Sequence, residues 1–220
     1  MEKMAGRPGD IANFIGDFFQ RAIGKAGRFF FQQNVADWYR KDLSFSKTDV
    51  RMPRGFSIKC EGAGALTGWL RQQSSIFPWI FIEEEIRTAL RENHLYPHLI
   101  FEGEVAGYIK VATTMAYVHD FRGLISIPPG CAYIYDTFTL PGHRNKGLGR
   151  VLLDWLLNYL NGLGYKDLWC HIPAWNRASV NLYAGCGFKK VCRVRYVRIA
   201  GFKFIIPAPE KIMALDAKYR

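Results

Sequence analysis

Long hydrophobic runs, paired cysteines and a secretory signal pattern are all lacking in this sequence of 220 residues. Its longest apolar run, Ile76–Ile82, is far short of the ~18 residues that a membrane-spanning helix needs. The five cysteines are an odd number without a CxxC pair, which is typical of reduced thiols and excludes a disulfide framework. No compact apolar segment with a small-residue cleavage site follows the first residues. We therefore expect a cytoplasmic protein that does not cross a membrane.

The short motifs of several enzyme classes are also missing. The sequence has no GxSxG nucleophile elbow, no HExxH zinc helix and no C-x₂-C zinc pair. Its five histidines are scattered, and His171 beside Cys170 lacks the spacing of a ligand pair. Cys186 stands between two glycines in a predicted turn, where a small residue is expected rather than a nucleophile. These absences argue against serine hydrolases and zinc enzymes, and we expect no bound metal.

Positive charge, by contrast, is abundant and unevenly distributed. The net charge is +11, and residues 137–220 hold 14 Lys and Arg against 4 Asp and Glu. A basic region of this kind attracts polyanions through its long-range field. Nucleic acid, an acidic membrane surface and a phosphate-rich cofactor all fit this charge, which alone does not choose among them.

The N-terminal region is rich in phenylalanine at near-helical spacing. Apolar residues recur through residues 10–41, with cations between them and glycines that weaken a helix. We predict a helical extension over residues 1–54, separable from a domain over residues 55–220, so that a chain beginning near Arg51 still functions. The apolar stripe needs burial. Burial within the protein or in a homodimer is favoured over a membrane surface at residues 11–31, because the polar face carries acids as well as bases.

Beyond residue 55 the pattern alternates between strands and helices. The predicted order is β-α-α-β-β-β-α-β-α-β-β, which indicates one mixed sheet of the α/β or α+β class. Glu83, Glu84 and Glu85 fall near the start of the second helix, where acidic side chains suit the helix dipole. The predicted strands cover Phe56–Cys60, Leu99–Phe101, Val105–Met115, Cys131–Leu140, Asp167–Ile172 and Lys189–Ile206, the last broken at Gly201. The predicted helices cover Gly64–Gln73, Phe81–Asn93, Gly147–Asn161 and Asn176–Ala184.

The most informative segment joins a predicted strand to a helix through a glycine-rich loop. A β run ends at Leu140, Pro141-Gly142 makes a turn, and Gly147 and Gly149 open the apolar helix. Backbone amides at a helix N-terminus converge on one point, and the helix dipole favours negative charge there. Glycines without a Cβ atom let a phosphate approach the backbone closely. The segment therefore predicts an anion-binding loop.

Two common phosphate-binding motifs do not fit this loop. A Walker motif needs Lys-Ser/Thr where the sequence has Leu148-Gly149, and a dinucleotide fingerprint needs a third glycine where it has Leu152. The pattern that remains is R/Q-x-x-G-x-G/A, which Arg144–Gly149 matches. A loop of packing glycines at a helix N-terminus is the alternative without a ligand.

The Arg144–Gly149 pattern resembles the pyrophosphate-binding motif of the GCN5-related N-acetyltransferases, a family that binds acetyl-CoA. A second segment, Asn176–Phe188, resembles the family's sequence of an Asn, a short helix, a Tyr and a Gly-Phe turn. The element order from about residue 55 also agrees with the family fold. The resemblance implies a mixed, mostly antiparallel twisted sheet flanked by helices.

This resemblance also implies where acetyl-CoA binds. Two neighbouring parallel strands, Cys131–Leu140 and Asp167–Ile172, are expected to separate and receive the cofactor arm. The amide of Thr139 or Leu140 is then expected to hold the acetyl carbonyl and stabilise its developing oxyanion. Asn176 is expected to cap its helix, and the resemblance implies that it also touches the cofactor arm. The cofactor-binding residues implied are Phe138, Thr139, Leu140, Arg144, Asn145, Lys146, Gly147, Leu148, Gly149, Arg150 and Asn176.

Two residues are implied as catalytic groups. Tyr183 matches the family's tyrosine that protonates the departing thiolate, with a packing aromatic as the alternative. Asp136 lies on the strand where family members often carry a carboxylate, so it is the candidate general base, unless it pairs with a cation or caps a loop. Other candidates for the base are Glu102, Glu104, His119 and His171.

We therefore expect an acetyl-CoA-dependent N-acetyltransferase in which a small-molecule amine attacks the thioester directly, without a covalent enzyme intermediate. Cationic peptide acceptors are less favoured because the basic C-terminal third would repel them, and no nucleic acid partner is expected. A long-chain acyltransferase supplied by an acyl carrier protein is one alternative, since a basic surface suits an acidic carrier. A non-catalytic module that binds nucleic acid or a membrane surface is the other.

Overall fold

An eight-stranded sheet forms the frame of the protein. The computed structural model describes residues 31–44, 48–199, 202–208 and 211–213. The strands are β1 (Phe31–Asp42), β2 (Phe56–Gly62), β3 (Leu95–Phe101), β4 (Glu104–Ala112), β5 (Met115–Val118), β6 (Gly123–Ser126), β7 (Cys131–Thr139), β8 (Asp167–Pro173), β9 (Lys189–Ile199) and β10 (Phe202–Ile206). The large sheet has the order β10-β9-β1-β8-β7-β4-β3-β2, and β5 pairs with β6 in a small separate sheet.

Four α-helices flank this sheet within the described ranges. They are α1 (Ala63–Gln73), α2 (Glu83–Arg91), α3 (Leu148–Gly162) and α4 (Arg177–Gly185). From β2 onward the order is the predicted one, with the β5–β6 hairpin added. Neighbouring strands are antiparallel except β7 and β8, which are parallel. The predicted mixed, mostly antiparallel sheet flanked by helices is therefore confirmed. In the part of the chain that is described, no helix has the length and apolar character to cross a membrane.

Strand β1 corrects the prediction that the chain is helical up to residue 54. Residues 31–42 pair with β8 on one side and with β9 on the other. Trp38 is fully buried and stacks on Tyr133 at 5.3 Å between ring centroids. Asp37 ties the strand to β9 by accepting hydrogen bonds from Lys190 and Arg193, each at 2.7 Å. A domain boundary at residue 54 would therefore remove a strand from inside the sheet. Residues 1–30 of the predicted helical extension lie outside the described residues.

Helices cover both faces of the sheet. On one face, leucines of α3 form a core with β4, β7 and β8, and Tyr183 of α4 joins it. On the opposite face, α1 and α2 pack over Tyr96, Tyr108 and Phe138. Next to them the β5–β6 hairpin covers Trp38 and Trp169, and Tyr135 contacts both of these clusters. The sheet thus separates an α3/α4 side from an α1/α2 side.

The parallel strands β7 and β8 pair along only part of their length. Their pairing runs from Cys131 and Asp167 to Ile134 and Cys170, whereas the strands continue to Thr139 and Pro173. Beyond Ile134 and Cys170 they diverge and leave a gap in the sheet, which we call the notch. The predicted separation of these two strands is therefore present in the structure.

Candidate active site

A cavity of about 490 Å³ passes through the notch. The sheet residues around it come from β7 and β8, α4 closes it on one side, and α2 and the segment before α2 close it on the other. Two of its lining residues, Trp79 and Trp175, are 60% and 81% exposed and mark its outer rim. The other lining residues are Glu85, His119, Asp120, Ile134, Tyr135, Asp136, Thr137, His171, Ile172, Pro173, Asn176, Ser179 and Tyr183.

From Asp136 to Phe138, beyond a register shift at Tyr135, the pleat of β7 sends neighbouring side chains to opposite sides of the sheet. Thr137 points to the α3/α4 side, where its Oγ1 lies 2.6 Å from the Tyr183 hydroxyl. Asp136 points to the α1/α2 side, where its Oδ2 accepts a 2.7 Å hydrogen bond from the Tyr108 hydroxyl. Phe138 lies on that same side, buried in the α1/α2 core. One cavity thus connects two chemically different sides of the sheet.

The ladder between β4 and β7 decides which backbone amides face the notch. The Leu140 amide donates to the Ala106 carbonyl at 2.9 Å, and Phe138 lies opposite Tyr108 in the register. Because antiparallel strands use alternate residues for this pairing, the amide of Thr139 turns away from β4 and toward the notch. Of the two amides predicted to hold an acetyl carbonyl, Thr139 is therefore free of the β4 ladder and Leu140 is engaged in it.

The glycine loop (Arg144–Gly149) forms the N-terminus of α3. Gly147 is the N-cap with φ of +72°, a left-handed conformation that favours glycine, and Asn145 has φ of +60°. A Cβ atom on Gly147 would meet nothing within 4 Å, so the space above this amide is open. Leu148 is buried in the core and fixes the first turn of α3. The N-terminal amides of α3 are therefore accessible to an anion.

The predicted cations of the loop make contacts within the protein. Arg144 Nε donates to the Thr139 carbonyl at 2.9 Å, and Lys146 Nζ donates to the Gly142 carbonyl at 2.9 Å. Arg150 bonds to Asp154 at 2.6 Å and to the Gly185 carbonyl at 2.8 Å, which ties α3 to the end of α4. Arg144 thus links the loop to the notch, whereas Arg150 holds two helices together.

Asn176 and Tyr183 lie on α4 at the α3/α4 side of the cavity. Asn176 caps the helix by accepting a hydrogen bond from the Ser179 amide at 3.2 Å. It also lines the cavity, so the predicted helix cap and the predicted contact with the cofactor arm are compatible. The ring of Tyr183 packs edge-on against Phe188 at 5.0 Å. Burial raises the pKa of Tyr183 well above its usual value, so its phenol stays protonated at neutral pH.

A buried ionic cluster lies on the α1/α2 side. Lys110 of β4 is fully buried, and its Nζ lies 3.0 Å from Asp136 Oδ2 and 2.8 Å from the Ile80 carbonyl oxygen. Glu85 of α2 lies 3.5 Å from the same ammonium group. Asp136 Oδ2 thus accepts from both Lys110 and Tyr108, which makes Asp136 the closer counter-ion of this buried charge.

Glu85 is a cavity residue that the sequence interpretation missed. It is 7% exposed, and burial raises its pKa to about 7, with Lys110 acting in the opposite direction. In the sequence it looked like an ordinary acid in the first turn of a helix. A signal was present elsewhere, since Lys110 interrupts an otherwise apolar strand and a buried lysine requires a carboxylate partner.

Three of the other candidates for a base are less available. His171 lines the cavity, but its Nδ1 lies 2.6 Å from the Tyr133 hydroxyl and its Nε2 lies 3.0 Å from Asp120, so both ring nitrogens are bonded. Glu102 and Glu104 lie at the turn between β3 and β4, outside the cavity lining. His119 lines the cavity from the β5–β6 connection.

Cysteine chemistry and metal ligation find little support here. Burial and the nearby Asp154 carboxylate raise the pKa of Cys186 to about 12, which keeps its thiol protonated. Across the described ranges, no three His, Cys, Asp or Glu side chains come together in an arrangement that could hold a metal ion.

The divided sheet and the glycine loop beside it are the features expected of an acyltransferase, and comparison with known proteins agrees. Residues 64–188 match the model of the Acetyltransferase (GNAT) family. Because this match spans more than half of the chain, the protein belongs to that family. The resemblance deduced from two short motifs is confirmed, and the protein is an N-acetyltransferase-type enzyme.

Individual relatives are more distant. The chain is 26% identical over 121 residues to the ribosomal protein bS18-alanine N-acetyltransferase of Escherichia coli K12, an alignment covering 55% of this chain and 71% of that one. A Drosophila protein superposes with a TM-score of 0.54 at 15% identity, covering 87% of this chain and 58% of that one. A GCN5-related N-acetyltransferase from Sphaerobacter thermophilus superposes with a TM-score of 0.52 at 13% identity, covering 79% and 54%. This chain thus spans less than two thirds of either solved structure, and these likenesses show the fold alone.

Proposed function

We propose that the protein transfers an acetyl group from acetyl-CoA to the primary amine of a small molecule, by direct attack within a ternary complex. The observation that carries this proposal is the cavity through the notch, whose lining includes Asn176 and Tyr183 on the α3/α4 side and carboxylates on the α1/α2 side. Donor and acceptor can therefore reach the same point from opposite sides of the sheet.

The α3/α4 side, which we take as the donor side, has the groups that acetyl-CoA requires. The free N-terminal amides of α3 suit its pyrophosphate, because they combine hydrogen-bond donors with the positive end of the helix dipole. The unpaired edge of β7 within the notch suits the amide-rich pantetheine arm. The Thr139 amide then faces the acetyl carbonyl, where a preorganised donor of this kind contributes ~3 kcal/mol to transition-state stabilisation.

Tyr183 is the proposed acid. Its hydroxyl lies on the donor side, where the sulfur of the thioester would leave, and it is held by Thr137 at 2.6 Å. As the C–S bond breaks, the phenol gives its proton to the thiolate. The burial that raises its pKa also keeps the proton in place until sulfur carries negative charge.

The α1/α2 side, which we take as the acceptor side, favours a small cation. Glu85, Asp120 and Asp136 contribute carboxylates to the cavity, and Trp79 and Trp175 contribute aromatic surface at its rim. Carboxylates and indole rings both attract an ammonium group. A volume of about 490 Å³, shared with the end of the donor, suits an amino sugar, an amino acid or a polyamine.

A protein N-terminus is the second candidate acceptor. The E. coli relative is named for acetylating an alanine of ribosomal protein bS18, and it aligns with 55% of this chain. The terminal amine of a flexible peptide is small enough to enter the same cavity. The excess of positive charge over residues 137–220 opposes basic peptides, which is why we place the small amine first.

An acceptor screen tests the proposed function. The full chain is mixed with acetyl-CoA and amino sugars, amino acids, polyamines or a peptide with N-terminal alanine, and the released thiol is measured. We expect thiol release with at least one small amine. Release with the peptide alone would replace the small acceptor by a protein N-terminus. No release with any amine and no binding of acetyl-CoA by calorimetry would favour the carrier-protein or non-catalytic alternatives.

Gly149→Glu is expected to abolish binding of acetyl-CoA. The new carboxylate would stand in the first turn of α3, where it repels the pyrophosphate and occupies its space. An acid in this turn suits the helix dipole, so the variant should remain folded. We expect an affinity loss of about 100-fold or more by calorimetry, which equals ~3 kcal/mol.

Gly149→Ala is the matched control for this variant. Its Cβ atom would lie 3.3 Å from Leu182 Cδ2, the flexible end of a side chain that can shift slightly. Both variants make this contact, and only the glutamate adds charge. We expect the alanine variant to bind acetyl-CoA within about 10-fold of the parent. Equal affinities for the two variants would show that the pyrophosphate does not lie at this loop.

A further inference from the structure

We propose that Glu85 of α2 is the general base, the group that takes a proton from the acceptor amine. This inference rests on the proposed function and adds a catalytic residue to it. Glu85 lines the cavity on the α1/α2 side of the notch, and Tyr183 lines it on the α3/α4 side. Base and acid therefore flank the reacting carbonyl from opposite sides of the sheet.

Three elements hold the Glu85 carboxylate in position. Helix α2 packs its buried residues Ile86 and Ala89 against the α1/α2 core, which fixes the backbone around Glu85. Lys110 of β4 lies 3.5 Å from the carboxylate, and Lys110 is itself fixed by the Ile80 carbonyl at 2.8 Å. Glu85 is thus a buried carboxylate that lines a cavity. Such a position is typical of a group that transfers protons, whereas acids that only keep a protein soluble lie on its surface.

Asp136 is the competing base, and its contacts favour a different role. Its Oδ2 receives two hydrogen bonds, from Tyr108 at 2.7 Å and Lys110 at 3.0 Å. Oδ2 is therefore engaged by two donors within the protein and is less accessible to an acceptor amine. Asp136 is therefore the closer partner of Lys110, and Glu85 is the more distant one.

The electrostatic surroundings of Glu85 agree with this division. Burial raises its pKa to about 7, Lys110 lowers it, and the carboxylates of Asp136 and Asp120 raise it. A base whose pKa lies near the working pH is ionised in a large fraction of the molecules, and it still binds a proton strongly enough to take it from the amine. The remaining titratable neighbours are phenols whose raised pKa values leave them uncharged near neutral pH: Tyr96, Tyr108, Tyr117, Tyr133 and Tyr135.

The proton balance of the step is complete with these two residues and water. The acceptor ammonium gives one proton to the Glu85 carboxylate, and the freed lone pair of nitrogen forms a bond to the carbonyl carbon. The C–S bond then breaks, and sulfur takes the phenolic proton of Tyr183. The second proton of the amine nitrogen passes through solvent to the phenolate. Glu85 returns its proton to solvent, and the products are an amide, a thiol and one proton.

Glu85→Gln tests this assignment in the full chain with acetyl-CoA and the amine that the screen identifies. We expect kcat at pH 7 to fall by about 100-fold, with acetyl-CoA affinity unchanged. In the parent, kcat should rise with pH and level off above about 7, where Glu85 is ionised. In the variant this bend should disappear, because solvent must then remove the proton.

The basicity of the acceptor gives an independent readout. With an acceptor analogue whose amine is already neutral at pH 7, Glu85→Gln should lose little activity, because no ammonium proton has to be removed. A residue that only supports the fold would lower kcat equally with both acceptors. Glu85→Asp keeps the charge with a shorter reach, so we expect an intermediate kcat and a retained bend. It also tests the assignment if the glutamine variant fails to fold.

Glu84→Gln is the matched control, since Glu84 neighbours Glu85 on α2 but its side chain is 48% exposed and pairs with Arg87. We expect its kcat and pH profile to equal those of the parent. A Glu85→Gln variant with parent kcat and an unchanged bend near pH 7 would overturn the assignment while leaving the proposed function intact. A parent that transfers acetyl groups to no amine would instead overturn the proposed function, and the Glu85 assignment with it.

Discussion

A chain that begins at Arg51 is expected not to fold. The truncation removes β1, which lies between β8 and β9 and hydrogen-bonds to both. It also removes Trp38, a fully buried indole whose loss alone, as Trp38→Ala, should cost ~3–5 kcal/mol. Since domains are stable by only about 5–15 kcal/mol, loss of the whole strand exceeds that margin. We expect no cooperative thermal transition and no near-ultraviolet circular dichroism signal.

A chain that begins at Phe30 is the matched control because it keeps all of β1. We expect it to unfold cooperatively and to bind acetyl-CoA. A folded, acetyl-CoA-binding chain starting at Arg51 would contradict the place of β1 in the sheet. It would restore the view that everything before residue 54 is an appendage.

Tyr183→Phe is expected to lower kcat by about 10²–10⁴, the usual contribution of a positioned acid. The ring and its edge-on contact with Phe188 remain, so acetyl-CoA affinity and melting temperature should barely change. Burial raises the pKa of this phenol well above its usual value. The acid form therefore persists as the pH rises, and kcat of the parent should not decline up to about pH 10 through loss of this proton.

Thr137→Val distinguishes the contribution of the Tyr183 proton from that of the hydrogen bond that holds the Tyr183 hydroxyl in place. It removes the hydroxyl that lies 2.6 Å from the Tyr183 oxygen and leaves the phenol in place. We expect a loss of kcat of about 10-fold, smaller than that of Tyr183→Phe, since a single hydrogen bond contributes ~1 kcal/mol. If Tyr183→Phe keeps parent kcat with the acceptor from the screen, Tyr183 is a packing residue and water protonates the thiolate.

Much of the sheet could be predicted because its signals are local. The β run that ends at Leu140, the glycine loop and the apolar helix after it are neighbours in sequence, and α3 begins at Leu148 as the glycine pattern indicates. Strand β1 could not be found in this way. It is buried on both sides of the sheet, so polar and apolar residues do not alternate cleanly, and the near-helical phenylalanine spacing before it extends into it. Its partners lie more than a hundred residues away.

The candidate site could likewise be predicted only where its signals are local in sequence. The two motifs point to Tyr183, Asn176 and the glycine loop, and the structure brings Tyr183 and Asn176 to one cavity. The roles predicted for Asp136 and Leu140 depend on partners in other strands, Lys110 and Ala106, that no local pattern reveals. Glu85 enters the cavity only because α2 folds over β4, so its chemistry follows from tertiary packing rather than from its sequence neighbours.

The position of β1 also bears on how the chain is made. Arg40 and Asp167 are 127 residues apart, and Asp37 and Lys190 are 153 residues apart, yet each pair is in direct contact. During synthesis β1 leaves the ribosome before β8 and β9 have been made. Until then Trp38 and the backbone groups on both edges of β1 have no partner strand to pair with. Contacts so distant in sequence slow folding and prolong exposure of strands that can aggregate. We therefore expect refolding from denaturant to be slow, with burial of Trp38 among its last events, and nascent chains to need chaperones.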